Sequence, residues 1–199
     1  MLRLTERLLL VVGIVCLAWF GYVSAETFLY QAYENRELDA ILAAGPARRD
    51  TDAAPAAERR RVPARGEVLG RVEIPRLRVS AIVKAGSDAR TLQLAVGHIP
   101  GTALPGEDGN VGLAGHRDTF FRRLDGIRSG DEIRMTTPEG VYSYRVERTI
   151  VVEPADVWVL DPAGEPVLTL VTCYPFTYVG SAPRRFIVRA TASRSGGAE

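Results

Sequence analysis

From Leu8 to Ala25 the chain runs eighteen residues without a single charged side chain. Such a stretch has few ways to fold. In a bilayer every backbone N–H and C=O must be satisfied internally, and a helix does that within one segment. Eighteen residues lie near the lower limit for a span, and Phe28, Leu29 and Tyr30 continue the apolar character past Glu26. We therefore expect a transmembrane anchor over residues 8–28, preceded by a short cytoplasmic N-terminus, residues 1–7. Arg3 and Arg7 stand before the span, while Glu26, Glu34, Glu37 and Asp39 lie beyond it. That asymmetry places the N-terminus in the cytoplasm and the bulk of the chain outside. A cleaved signal peptide is the other reading, because Val23-Ser-Ala25 has the small residues of a cleavage site. Both readings export the remainder of the chain.

Glu26 to Ala44 contains no Gly or Pro and is rich in helix formers, so the helix is expected to continue as a stalk until Gly45 and Pro46 end it. Gly45 to Gly66 is mostly Ala, Pro, Arg and Asp. It has too little apolar surface to order itself and reads as a tether. Residues 29–66 thus form stalk and linker. The compact domain is expected over 67–192, with 193–199 a polar, disordered tail.

Within that domain the pattern is one of short apolar runs broken by turn residues. Strands are expected at 68–74, 77–83, 110–115, 131–137, 141–153, 157–160, 167–172 and 184–192. A short helix is expected over 88–96 with Asp88 as its cap, a Pro/Gly loop over 99–109, and one or two helical turns over 119–127. This spacing points to an all-β sandwich or barrel.

The chemistry is concentrated in few residues. Only two cysteines occur, Cys16 in the apolar run and Cys173 far downstream, so a disulfide between them is not expected. Cys173 closes the run Val167-Leu-Thr-Leu-Val-Thr, with Pro175 two residues on. A strand ending in a lone thiol sets a nucleophile on a rigid support. A thiol attacks as thiolate, so it needs cationic neighbours. His116 closes the strand Val111-Gly-Leu-Ala, and Arg185 opens the run Phe186-Ile-Val. Arg184 and Arg185 point to opposite faces if they share a strand, so only one can meet the thiol. The second histidine, His98, stands before the Pro/Gly loop and could line the rim of a site. A net charge of +1 gives no reason to expect a nucleic-acid partner. No zinc-ligand spacing occurs.

Thr169-Leu-Val-Thr-Cys173, Ala114-Gly-His116-Arg-Asp-Thr119 and Arg185 before three apolar residues, in that His, Cys, Arg order, resemble the motifs of the sortases, membrane-anchored cysteine transpeptidases. The Cys-Tyr-Pro-Phe and Gly-His-Arg-Asp-Thr segments are most similar to class D, and the resemblance covers roughly residues 66–192. It implies a closed eight-stranded β-barrel behind the transmembrane helix. It implies His116, Cys173 and Arg185 as catalytic residues, with Thr172 and His98 as candidate substrate contacts. The implied roles are nucleophile for Cys173, acid then base for His116 and oxyanion or backbone contact for Arg185. The implied partners are secreted proteins with a Leu-Pro-x-Thr-type C-terminal sorting signal, an amine acceptor of peptidoglycan or a pilin lysine, and membrane lipid. Some sortases bind calcium in the loop that here carries Glu107 and Asp108. Two carboxylates make a weak case for an ion that wants six or more oxygens, so no cofactor is expected. Two alternatives stay open: a cysteine peptidase that hydrolyses the intermediate, and an idle membrane-tethered barrel that binds extended peptides.

Overall fold

Strand alternation dictates the barrel. In the computed structural model, which describes residues 2–43, 62–178 and 180–193, eight strands close on themselves. They are β1 (Val68–Ile74), β2 (Val79–Ala85), β3 (Val96–His98), β4 (Asn110–Ala114), β5 (Glu132–Thr137), β6 (Gly140–Val152), β7 (Val167–Tyr174) and β8 (Arg184–Ala192). Around the barrel the order is β1-β2-β3-β4-β7-β8-β6-β5. β2 with β3 and β4 with β7 are parallel, and the other neighbours are antiparallel. The barrel is therefore mixed, with no open edge to pair with another chain.

Every second residue enters the interior. Val72 and Ile74, Ala81 and Val83, Val111 and Leu113, Leu168 and Leu170, and Val188 and Ala190 are all buried in one cluster with Ile133, Met135 and Tyr144. Full burial of a Val or Leu is worth about 1.5–3 kcal/mol, so this inner layer fixes the register of each strand. Gly70 shows how tightly β1 and β5 meet. It has φ +149, and a Cβ there would stand 2.1 Å from the Thr136 carbonyl oxygen. Below the barrel Arg76 forks onto Asp131, with Nη2 2.6 Å from Oδ2, and also donates to the Gly126 carbonyl.

Two elements differ from the sequence-based expectation. Residues 157–160 form a 3-10 helix, not a strand. Of its four apolar residues only Val159 is buried, against Val152 and Ile187. The eighth strand is instead β3, three residues of which only Val96 fell in the expected helix and none in the expected loop. The helix itself, α2, is limited to Ala89–Leu94, with the Asp88 carboxylate accepting from the Arg90 and Thr91 amides.

A continuous helix, α1 (Leu2–Ala43), precedes the barrel. It contains an eighteen-residue window of mean hydropathy 2.3, none of it buried, which is long and apolar enough to cross a membrane. Residues 26–42, expected as a stalk, lie against the barrel wall. Gln31 donates to the Leu94 carbonyl and accepts from the Ile82 amide. Arg71 Nη1 donates to both Asn35 and Asp39. Arg90 pairs with Glu26, and Leu38 is buried against Ile82 and Ala95. The linker expected over 45–66 lies outside the described residues up to position 61, and so does the tail from 194.

Candidate active site

The site is built from two strand ladders. β7 and β8 are antiparallel, and Cys173 is the direct partner of Arg185 while Tyr174 is the partner of Arg184. Direct partners project to the same face, so Arg185 shares the face of Cys173. That face is the outer one, because Thr172 and Leu170 on either side of Val171 are buried inward. Arg184 takes the other face and lies over the Tyr174 ring, 5.5 Å from its centre. Strand alternation thus separates the two arginines as expected.

His116 arrives from the other side of β7. β4 and β7 are parallel, with Gly112 beside Thr169 and Ala114 beside Val171. The register ends there, with His116 two residues past Ala114 and Cys173 two residues past Val171. The Gly115 amide extends the ladder by donating to the Val171 carbonyl at 3.1 Å. Beyond Gly115 the chain turns: the His116 carbonyl accepts from the Phe121 amide at 3.0 Å. Gly115 is required for this turn to sit down, since a Cβ there would fall 2.7 Å from the Phe121 ring. His116 itself stays exposed, and Cys173 and Arg185 are half-buried. A free thiol, an imidazole and a guanidinium therefore share one rim.

Arg185 Nη1 donates to the carbonyls of Ala182 and Arg184. Among the described residues its Nε and Nη2 carry no bond. The guanidinium is thus oriented by its own loop with donors to spare. Asp118, two residues after His116, is exposed and accepts from Arg117 Nε.

The two candidate substrate contacts, Thr172 and His98, are both buried. Thr172 is buried, and its hydroxyl donates to the Gly115 carbonyl at 2.7 Å. Its side chain braces the histidine segment. His98 lies on β3 beside Leu113, facing inward with Ala85. Its Nε2 is 2.8 Å from the Ala103 carbonyl and 3.1 Å from the Thr102 hydroxyl. Burial holds its pKa below the ordinary histidine value. A cavity of about 690 Å³ adjoins it at the ends of β2 and β3, which run opposite to β4 and β7. Glu107 braces its own loop by accepting from the Leu104 amide. Among the described residues no three His, Cys, Asp or Glu gather as a metal site.

Two buried polar residues escaped the sequence reading. Asn110, at the start of β4, donates to the carbonyls of Val159 and Asp161 and accepts from the Thr169 hydroxyl. It thereby fastens the 157–160 helix to β4 and β7. An asparagine opening an apolar strand was the available signal, since such residues are buried only when bonded. Arg117 is 6 % exposed and is bonded to the loop after β7. Nothing local distinguishes it from a surface arginine.

The chain is thus a mixed barrel that carries a free thiol on one strand, an arginine opposite it and a histidine just past the end of the parallel neighbour. This chain belongs to the sortase family: the Sortase domain model matches residues 72–193. Sortase D of Bacillus subtilis (strain 168) is 38% identical over 127 residues, covering 63% of this chain and 64% of that protein. The chain thus spans slightly under two thirds of that relative. The Clostridium perfringens sortase D5 transpeptidase superposes with a TM-score of 0.60 at 32% identity, covering 65% of this chain and 81% of that one. The Clostridium perfringens sortase C solved with a C-terminal cell wall sorting motif gives 0.60 at 28% identity, covering 65% and 72%.

Proposed function

We propose that this chain is a membrane-anchored cysteine transpeptidase acting on a C-terminal sorting signal of the Leu-Pro-x-Thr type. The observation that carries the reading is the direct pairing of Cys173 with Arg185 across the β7–β8 ladder, with His116 leaving the neighbouring strand β4 just past its pairing with β7. The Cys173 sulfur attacks the carbonyl carbon of the threonine, forming the C–S bond. Negative charge gathers on the carbonyl oxygen, where the unused Arg185 donors stabilise it. As the C–N bond breaks, His116 delivers a proton to the departing amine. An incoming amine then attacks the thioacyl carbon, loses a proton to His116, and expels the thiolate. The sorting motif seen with the Clostridium perfringens relative supports the donor class. The acceptor is an amine of peptidoglycan or a pilin lysine.

The apolar part of α1 serves as the anchor, with Arg3 and Arg7 on the cytoplasmic side and the barrel outside, at a bacterial cell membrane. The test is incubation of the full chain in lipid nanodiscs with a Leu-Pro-x-Thr peptide and a small primary amine. We expect an amide joining threonine to the amine. A free threonine acid alone identifies a peptidase, and uncleaved peptide identifies a binding module.

A further inference from the structure

Arg117 stands between two exposed residues of the histidine turn, yet it is almost fully buried. Its guanidinium reaches across the rim into the loop between β7 and β8. Nη1 donates to the Pro175 carbonyl at 2.7 Å. Nη2 donates to the carbonyls of Tyr178, at 2.5 Å, and Gly180, at 3.2 Å. Nε turns back to Asp118 at 3.3 Å, whose side chain is 74% exposed. The charge is therefore held mainly by three carbonyl dipoles of one loop. A guanidinium removed from water without such partners costs several kcal/mol, so cation and loop hold each other in place. The planar fork can reach three carbonyls at once, which a single ammonium cannot do.

The position of that loop gives the contact its meaning. Pro175 is two residues after Cys173, and Gly180 is five residues before Arg185. Arg117 comes directly after His116, and the His116 backbone is itself pinned by Phe121. One side chain thus joins the chain leaving the imidazole to the segment connecting thiol and guanidinium.

We propose that Arg117 is a positioning residue that sets the separation of His116 from Cys173 and Arg185 by clamping the β7–β8 loop. It acts through these groups and does not touch substrate. The proposal rests on the transpeptidase reading for its effect on turnover, whereas the clamp itself is readable without any peptide.

The test uses the full chain in nanodiscs, with Arg117→Met and Arg117→Lys beside wild type. Three quantities are read. They are kcat and KM for the donor peptide, amide hydrogen exchange over 174–183, and the rate of Cys173 alkylation by iodoacetamide, followed on its own peptide by mass spectrometry. For Arg117→Met we expect kcat to fall about 100-fold with KM within about threefold, because misplacement of the reacting groups by about 1 Å has that effect. Exchange over 174–183 should quicken about tenfold or more while β4 and β7 stay protected, and the Cys173 alkylation rate should change. Arg117→Lys should recover about tenfold of the lost kcat, since the charge returns without the fork. Unchanged kcat overturns the proposal. So does a loss that tracks global unfolding, with the loop exchanging no faster than the strands. If Arg117→Met does not fold, Arg117→Lys is read by the same three measurements, with a smaller loss of kcat and faster loop exchange expected. A wild-type chain that neither cleaves nor transfers peptide refutes the transpeptidase reading, while exchange and alkylation still decide the clamp.

Discussion

Cys173 and Arg185 are direct partners across the β7–β8 ladder, while their chain neighbours Tyr174 and Arg184 form the next pair on the opposite face. A one-residue slip of β8 would exchange the two arginines. The slip is resisted from within, because Val188 and Ala190 are fully buried and would have to leave the core. The packing of the barrel interior thus decides which guanidinium meets the thiol.

The two arginines should therefore differ sharply in substitution. Arg185→Ala is expected to slow acylation by about 10² to 10³-fold, the usual cost of an oxyanion donor. Arg185→Lys should stay impaired, because an ammonium does not reproduce the fork. Arg184→Ala should keep a near-normal rate and lose about 0.5–1 kcal/mol through its contact with Tyr174. Kinetics on a fluorogenic sorting peptide with thermal unfolding of each variant will show it. Equal losses in rate would remove the reason for preferring Arg185.

Gly115→Ala should damage activity more than stability. The added Cβ meets the Phe121 ring at 2.7 Å, so either the ring or the turn carrying His116 must move. Overpacking of this kind costs about 1–3 kcal/mol. A fall in kcat of about tenfold or more with the barrel still folded by circular dichroism is the expected result.

Asn110→Ala should release the 157–160 helix. It leaves the Thr169 hydroxyl and two carbonyls short of partners, for a loss of about 2–3 kcal/mol. Hydrogen exchange at the amides of 157–161 should rise more than at any strand.

His98 gives a pH dependence of definite sign. Burial lowers its folded-state pKa, so the unfolded chain takes up the proton first as pH falls past about 6.5. Its contribution is fully present above that value and is lost as pH drops toward the folded pKa. The slope is at most about 1.4 kcal/mol per pH unit. In His98→Asn this part of the slope between pH 7 and 5 should vanish in denaturant titrations, while turnover at pH 7.5 changes little.

The barrel, and the positions of Cys173, His116 and Arg185 on it, were legible for one reason: each depends on local pattern. Alternation marks the long strands, and Cys173, His116 and Arg185 stand at strand ends. What escaped depends on distant partners. Val157-Trp-Val-Leu160 has the composition of a strand, but only Val159 is buried, with Leu160 packed partly beside it. Val96-Gly-His98 is too short to show alternation, and Gly97 is set by the Gly86 carbonyl, which would lie 2.3 Å from a Cβ. Arg117 is buried by carbonyls about sixty residues away in sequence. The docked face of α1 did carry a signal. Gln31, Asn35, Leu38 and Leu42 recur at helical spacing, which a free stalk does not need.

Trapping the acyl intermediate tests the central claim most directly. The full chain in nanodiscs is mixed with a Leu-Pro-x-Thr peptide without amine, quenched in acid within seconds, digested and sequenced by mass spectrometry. The adduct is predicted on Cys173, labile to hydroxylamine, absent from Cys173→Ala, and absent from Cys16 in wild type. Cleavage of the peptide by Cys173→Ala at the wild-type rate, or an acyl group carried by any other residue, would contradict it.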